Sequence, residues 1–459
     1  MEDRPQGLLI AFYGDDFTGS TDAMEALATN GVRTALFLET PSPDKLAQTF
    51  PNLQGIGIAG VSRSMAPDAM ERELRPAFEA LKTTGAPIVH YKICSTFDSS
   101  PDVGSIGKAI DVGAETFASQ RYIPLLVGAP ALGRYTVFGN HFAAVGDVAY
   151  RLDRHPTMSR HPVTPMDEAD LRMHLSKQTN RSVGSMDVFD LSGDGERVRR
   201  RLRERLSRRP DVLLYDVLDE DRLRVAGELL WEESRSEGIR FVVGSSGVEY
   251  ALAAHWRRSG VTADDGALIR ARGPVDRMLV VSASCSPTTA AQIRFALGHG
   301  FVDVRIDAEA LVDPAEAERT RAELLRAASA LLDEGKCPLL YTALGPGDDS
   351  ISAVRRKLAR AGAAAADSGR LIGKQLGKLT KAIVAENRLT RLLVAGGDTS
   401  GYVTRELGVY ALEAIMRLAP GGPMCRAYSE DIRFDGIELV LKGGQVGEEH
   451  YFVRVRNGE

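Results

Sequence analysis

Twice along this chain, short apolar runs rich in β-branched residues alternate with amphipathic helical segments, a pattern that few architectures other than a helix-covered parallel sheet satisfy. The first series comprises LLIAFY (8–13), RTALFL (33–38), GIGIAGV (55–61), PIVHYKI (87–93), IPLLVG (123–128), VLLYDV (212–217) and RFVVG (240–244). Between them, MERELRPAFEALK sets Met70, Leu74, Phe78 and Leu81 on one helical face. The second series comprises MLVVSAS (278–284), FVDVRI (301–306), CPLLYTAL (337–344) and RLLVAGG (391–397), with a helical block over 351–388. GIELVLKGG and HYFVRVR read as a closing pair of strands, which implies a mixed sheet. The Gly-, Pro- and charge-rich stretch 257–277 reads as a linker. The expected fold class is therefore α/β: two α/β domains, 1–256 and 278–459, with mainly parallel sheets covered by helices and an active site in the interdomain cleft. A length of 459 residues agrees with more than one core.

A net charge of −5 argues against a nucleic-acid partner. The one basic run, RVRRRLRERLSRR (197–209), carries Val198, Leu202 and Leu206 at helical spacing and reads as a solvated helix face. No apolar stretch has the length of a membrane span and MEDRPQG lacks the pattern of a signal peptide, so no membrane association and a cytoplasmic location are expected. Cys94, Cys285, Cys337 and Cys425 are scattered, as expected of thiols in a reducing compartment.

Ligands of open α/β sheets bind beyond the carboxyl ends of strands, and the residues there are unusually polar. The first domain offers Asp15, Asp16, Thr18 and Ser20, then Ser62, Arg63 and Ser64, then Lys92, Ser95, Thr96 and Asp98, and lastly Arg134. Carboxylates, hydroxyls and cations on one rim suit a small, polyhydroxylated, anionic ligand. The second domain offers Ser282 to Ser286, then Gly396, Gly397, Asp398, Thr399, Ser400 and Gly401 ahead of a helix from Tyr402, and Gly443, Gly444 and Gln445. Small residues admit phosphate oxygens to backbone N–H groups, and a helix N-terminus adds its dipole, so this kit reads as a nucleotide cradle.

Several motifs weigh less than they look. GIGIAG (55–60) matches G-x-G-x-x-G but lies within a strand. GRLIGKQLGK (369–378) has the wrong glycine spacing for a Walker loop, and Gly369, Gly373 and Gly377 read as close helix packing. GSSG (244–247) reads equally as an anion site or a tight strand-to-helix turn. His155 and His161 flank a Pro-rich loop without a third ligand, so they read as substrate contact or loop structure and no protein-held metal is expected.

In combination, Asp15-Asp16-Phe17-Thr18-Gly19-Ser20, HPVTPM (161–166), GSSG, the run Ser282 to Thr289 and GGDTSG (396–401) resemble the four-carbon acid sugar kinases, in order from about residue 8 to 455. The resemblance implies an N-terminal domain for a sugar acid and a C-terminal domain for ATP, with Mg2+ as the accompanying ion. It implies that Ser284, Gly396, Gly397, Asp398, Thr399 and the loop of Gly443 and Gly444 hold the nucleotide, where Ser400 and Gln445 are also expected, and that Asp15, Asp16, Arg63, Lys92 and Ser95 face the acid, where Thr96, Arg134 and His161 are also expected. Two stretches depart from the family pattern. Lys92-Ile93-Cys94-Ser95-Thr96-Phe97-Asp98 stands where K-x-D-S-T-L-R is usual, and Lys442-Gly443-Gly444-Gln445 where K-S-G-N is usual. The first departure points to the branch acting on 3-oxo-isoapionate, among acids of the 3-oxo-tetronate, erythronate and threonate type. Asp16 is the expected proton acceptor, with Asp15 holding the turn or a magnesium-bound water, or with the roles exchanged, and at least one of the two capping the helix that begins near Ser20 or Thr21. Arg63 and Lys92 are expected to hold the substrate carboxylate, and a homodimer is the assembly to test. The competing readings are an NAD-dependent dehydrogenase of a similar acid and a nucleotide-gated sugar-acid sensor.

Overall fold

Apolar runs buried on both faces have no register that exposes them, so nearly all the expected strands form, trimmed at their ends where side chains reach the rim. The computed structural model describes residues 7–161, 163–262, 269–362 and 367–459. The chain divides into two units, Met1–Gly266 and Ala267–Glu459. Part of the expected linker, 263–268, lies outside the described residues, and the preceding helix Gly247–Ser259 extends into the linker's first residues.

In the first unit the strands are β1 (Ile10–Gly14), β2 (Thr34–Phe37), β3 (Gly55–Ala59), β4 (Ile88–Lys92), β5 (Ile123–Leu126), β6 (Arg134–Val137), β7 (Asn140–Val145), β8 (Val148–Arg151), β9 (Val183–Met186), β10 (Val212–Tyr215) and β11 (Arg240–Gly244). Eight of them pair in parallel in the order β2-β3-β1-β4-β11-β5-β10-β9, and β6, β7 and β8 form a separate antiparallel sheet. The main core packs Tyr13, Phe78, Tyr91 and Phe241 against the flanking helices. The chain runs outward from β1 to one side and then crosses to β4 on the other, so the order reverses between β1 and β4. Such a reversal splays the two crossover connections apart and leaves a crevice at the strand ends.

The second unit contributes β12 (Leu279–Ser282), β13 (Phe301–Arg305), β14 (Cys337–Tyr341), β15 (Arg391–Ala395), β16 (Val409–Met416), β17 (Met424–Ser429) and β18 (Glu438–Lys442), in the order β13-β14-β12-β15-β18-β17-β16. Pairing is parallel through β18 and antiparallel from β18 to β16, and the order reverses between β12 and β15. The expected closing strand HYFVRVR is instead the helix Tyr451–Asn457. Tyr451, Phe452 and Val455 fall on one helical face and are buried, while Arg391 donates to the carbonyls of Val455 (2.9 Å) and Arg456 (2.9 Å) at its C-terminal end. The antiparallel pair β16 and β17 takes its place in the mixed sheet. The helix expected from Tyr402 begins at Gly397, and the one expected near Ser20 begins at Phe17. The block 351–388 is two helices, Asp349–Arg360 and Ser368–Asn387.

The weaker motifs resolve as packing. A Cβ on Gly57 would lie 2.2 Å from the Phe12 ring and one on Gly60 2.1 Å from that of Tyr13, so GIGIAG makes room for aromatic side chains. Gly373 and Gly377 likewise let Ser368–Asn387 lie against Tyr402 and Glu406 of the next helix, whereas Gly369 lines a cavity. The basic run sits on the helix Gly195–Leu206, where Val198 and Leu202 are buried and Arg199 and Arg205 pair with carboxylates. Among the described residues no helix is long and apolar enough to cross a membrane.

Candidate functional sites at the two strand-order reversals

At the first reversal, β1 hands directly into the helix Phe17–Ala28. Asp16 is its N-cap: Oδ1 accepts from the Gly19 amide at 2.7 Å. The backbone of Asp15 is fixed on both sides, its N–H donating to Lys92 O (2.9 Å) and its carbonyl accepting from Arg63 N (3.0 Å). Arg63, on the turn Ser62–Ser64 after β3, grips Asp15 bidentately through Nη2 (2.6 Å) and Nε (3.1 Å), and reaches Asp16 Oδ2 through Nη1 at 2.7 Å. The fork of Arg63 is thus directed at the protein's own carboxylates. Burial pushes the Asp15 carboxyl up and Arg63 draws it back, while burial opposes the Arg63 charge and Asp15, with Cys94 and Asp16, more than restores it. The two aspartates differ in access: the side chain of Asp15 is 4% exposed and that of Asp16 30%.

Lys92 ends β4 with its ammonium buried, donating to Ile93 O (3.1 Å) and lying 3.6 Å from Asp22 Oδ2. Burial raises the Asp22 carboxyl against the pull of Lys92. A Cβ on Gly19 would meet Asp16 Oδ1 at 2.6 Å, Lys92 Nζ at 3.0 Å and Arg63 Nη2 at 3.4 Å, so the three charged heads converge over one bare α-carbon. Below them, His90 Nδ1 lies 2.6 Å from Glu249 Oε1, both fully buried. Sequence reading missed Asp22, His90 and Glu249. Asp22 follows Gly19 by three residues on the same helix face, a spacing that could have found it.

The loop after β4 carries Ser95 and Thr96. The neutral ring of His141, whose pKa burial lowers to about 4, bridges Ser95 O (2.8 Å) and Thr136 Oγ1 (2.9 Å). Thr96 donates to Asp98 at 2.7 Å. Arg134 spends Nη1 on the carbonyls of Leu132, Gly133 and Ala144, its Nε is buried without a partner, and among the described residues no carboxylate pairs with it. Burial lowers its pKa, while Cys94, Asp98 and Asp22 act on it from nearby. His161 is bound within its own loop, accepting from Thr164 N and lying 3.0 Å from its hydroxyl, and Pro162 lies outside the described residues. In GSSG, Ser245 donates to Val127 O (2.6 Å) and accepts from Gly247 N (2.9 Å), the bonding of a tight strand-to-helix turn.

At the second reversal, β12 and β15 open onto a cavity of ≈ 370 Å³. Ser284, Gly396, Gly397, Thr399 and Gly444 line one side, and Ile351, Val354 and Ile372 give it an apolar wall. Gly396 has φ +122, a conformation closed to other residues, and the helix Gly397–Glu406 that follows has no side-chain cap. Its first N–H groups therefore face the cavity end unclaimed by a side chain. Ser400 is turned inward, donating to Gly396 O at 2.8 Å, and the side chain of Asp398 lies outside the described residues. The loop after β18 is tied down: Ser286 and Thr289 donate to Gly444 O at 2.7 and 2.9 Å, and Thr288 donates to Gln445 Oε1 at 2.8 Å. A shaped, partly apolar cavity ending in fixed backbone donors matches a nucleotide with its phosphates inward.

A model of a sugar-binding N-terminal domain matches residues 10–252, and one of a nucleotide-binding C-terminal domain matches 279–452. The chain is 47% identical to the 3-oxo-isoapionate kinase of Paraburkholderia graminis, over 99% of this chain and 95% of that one. It is 30% identical to the 3-oxo-tetronate kinase of Methylobacterium radiotolerans, over 97% and 98%. A solved Haemophilus influenzae structure superposes with TM-score 0.75 at 26% identity, covering 97% of this chain and 99% of that one.

Proposed function

Because the chain belongs to the four-carbon acid sugar kinase family, we propose that it phosphorylates 3-oxo-isoapionate, with Asp16 as the proton acceptor and Arg134 as the anchor of the substrate carboxylate. The chain is an ATP-dependent sugar-acid kinase. The choice of acid is supported by the higher identity, 47% against 30%, to the 3-oxo-isoapionate kinase than to a 3-oxo-tetronate kinase.

The observation that carries the site is the difference between the two aspartates. Asp15 has both oxygens on Arg63 and almost no exposure, which suits a fixed anchor. Asp16 is the accessible one, aimed by its cap and by Arg63, and a carboxylate so held retains lone pairs for a substrate hydroxyl. In the reaction the hydroxyl oxygen bonds to the γ-phosphorus as the bond to the β-phosphate oxygen breaks, ADP leaves, and the hydroxyl proton passes to Asp16. Mg2+ carried on the ATP phosphates would neutralise their charge and would need few ligands from the protein. Arg134, a cation without a carboxylate partner among the described residues, keeps Nε without a hydrogen-bond partner and so can pair with one.

Release of ADP across 3-oxo-isoapionate, 3-oxo-tetronate, erythronate and threonate tests the substrate. The highest kcat/KM is expected for 3-oxo-isoapionate, by about tenfold or more over 3-oxo-tetronate. An equal or higher value for 3-oxo-tetronate would overturn the choice of acid and leave the kinase activity standing. Arg134→Met is expected to raise KM for the acid on the order of 10²-fold with KM for ATP near wild type. Unchanged KM for the acid would remove Arg134 from the carboxylate site.

A further inference from the structure

Four cationic side chains are buried among the described residues: Lys92, Arg240, Arg391 and Lys442. The first three lie beside Asp22, Glu233 and Glu438 respectively. Lys442 has no carboxylate within ion-pair distance among the described residues, although it is 1% exposed. An uncompensated buried ammonium is costly, and selection tolerates such a group where an anion arrives later.

The position of Lys442 says which anion. It is the last residue of β18, and its carbonyl accepts from Gly396 N at 2.9 Å, which ties it to the glycine turn after β15. Its Nζ donates to Thr289 Oγ1 at 3.0 Å, and Thr289 in turn donates to the carbonyl of Gly444. Gly396 and Gly444 both line the cavity, so Lys442 is joined to two of its walls. We propose that Lys442 supplies the positive charge that answers the phosphates of the nucleotide bound there, an inference that rests on reading that cavity as the nucleotide site.

The surroundings support a charge that is gained on binding. From the helix Pro287–Leu297 it meets Thr289, and from β15 it faces Ala395. From the helix Tyr451–Asn457 it meets the Phe452 ring at 6.0 Å, and Tyr451 on that helix directs its hydroxyl to Gly422 O. With burial acting alone, the ammonium is pushed down to about 7. An empty cavity at pH 8 therefore leaves Lys442 mostly neutral, and a phosphate beside it restores the proton.

Calorimetry of ADP binding at pH 8, where the phosphates are fully ionised, in buffers of different ionisation enthalpy, reads that proton directly. Wild type is expected to take up more than about half a proton per ADP, and none with adenosine. Lys442→Arg keeps ADP affinity with no uptake. Lys442→Met loses uptake and about tenfold or more in ADP affinity, keeps adenosine affinity, and does not lower Tm, because the group removed is a buried amine that no carboxylate compensates among the described residues. ADP binding to wild type without proton uptake, or equal ADP affinity in wild type and Lys442→Met, would overturn the role of Lys442. Failure of wild type to bind ADP or adenosine would instead overturn the nucleotide reading of the cavity. If Lys442→Met does not fold, the comparison of wild type with Lys442→Arg decides alone, since equal uptake in both excludes Lys442 as the source.

Discussion

Arg63→Ala is expected to lower kcat on the order of 10³-fold and to cost about 3 kcal/mol of stability, with KM for ATP near wild type. The stability loss follows from Asp15. Its side chain is 4% exposed and both of its oxygens are matched by the Arg63 fork, so removing the fork strands a buried carboxylate. Breaking a fully buried pair costs about 3–5 kcal/mol, and the 23% exposure of Arg63 puts this case at the low end. The pH dependence has a definite sign. Without Arg63, burial holds the Asp15 carboxyl above its unfolded value, so the folded state binds the proton more tightly and gains stability as pH falls. The Tm deficit of Arg63→Ala should therefore be largest at pH 8 and narrow toward pH 5. Arg63→Lys restores charge but not the two-pronged geometry and should fall between. A deficit independent of pH would mean that Asp15 is not the stranded group. The loss of turnover has a separate cause, since Nη1 of Arg63 holds Asp16 Oδ2 and an unheld carboxylate is misplaced for proton transfer.

That dual role was not legible in the chain. Residues at strand ends could be read as a rim, because alternation and turn chemistry fix where strands stop, and Asp15, Asp16, Arg63 and Lys92 do converge there. Which charge pairs with which is decided by crossover geometry, and a sequence carries no direct signal that the Arg63 fork closes on Asp15 instead of a ligand. Gly396 after β15 was legible for the opposite reason, since a φ of +122 leaves one residue type able to serve. HYFVRVR was ambiguous by length alone: seven residues with apolar positions at 451, 452, 453 and 455 satisfy either period, and packing of Tyr451, Phe452 and Val455 into the core decided for the helix. Five of the eight residues of VYALEAIM, Ala411, Leu412, Glu413, Ala414 and Met416, are strong helix formers, yet it is strand β16, because pairing with β17 outweighs their propensity.

Asp16→Asn is expected to cut kcat by about 10³- to 10⁴-fold while leaving ATP affinity near wild type. Asparagine caps a helix as well as aspartate does, so the bond from the Gly19 amide to Oδ1 survives and the helix Phe17–Ala28 starts where it did. Asp15 continues to neutralise Arg63, so no buried cation is stranded by the loss of charge at position 16. What disappears is the capacity to accept the hydroxyl proton, together with the acceptor that Oδ2 offers to Arg63 Nη1, where the amide NH2 now faces the guanidinium donor to donor. Asp16→Ala, by contrast, should lose about 1 kcal/mol with the cap, and its kinetic defect would confound the two effects. The rival acceptor is Asp22, a partly buried carboxylate raised by burial and 3.6 Å from Lys92. If Asp22 takes the proton, Asp22→Asn will show the kcat collapse and Asp16→Asn will retain near-normal turnover. If Asp16 takes it, Asp22→Asn frees Lys92 and should act mainly on KM for the acid, because what it changes is the charge facing the substrate and not the group that receives the proton.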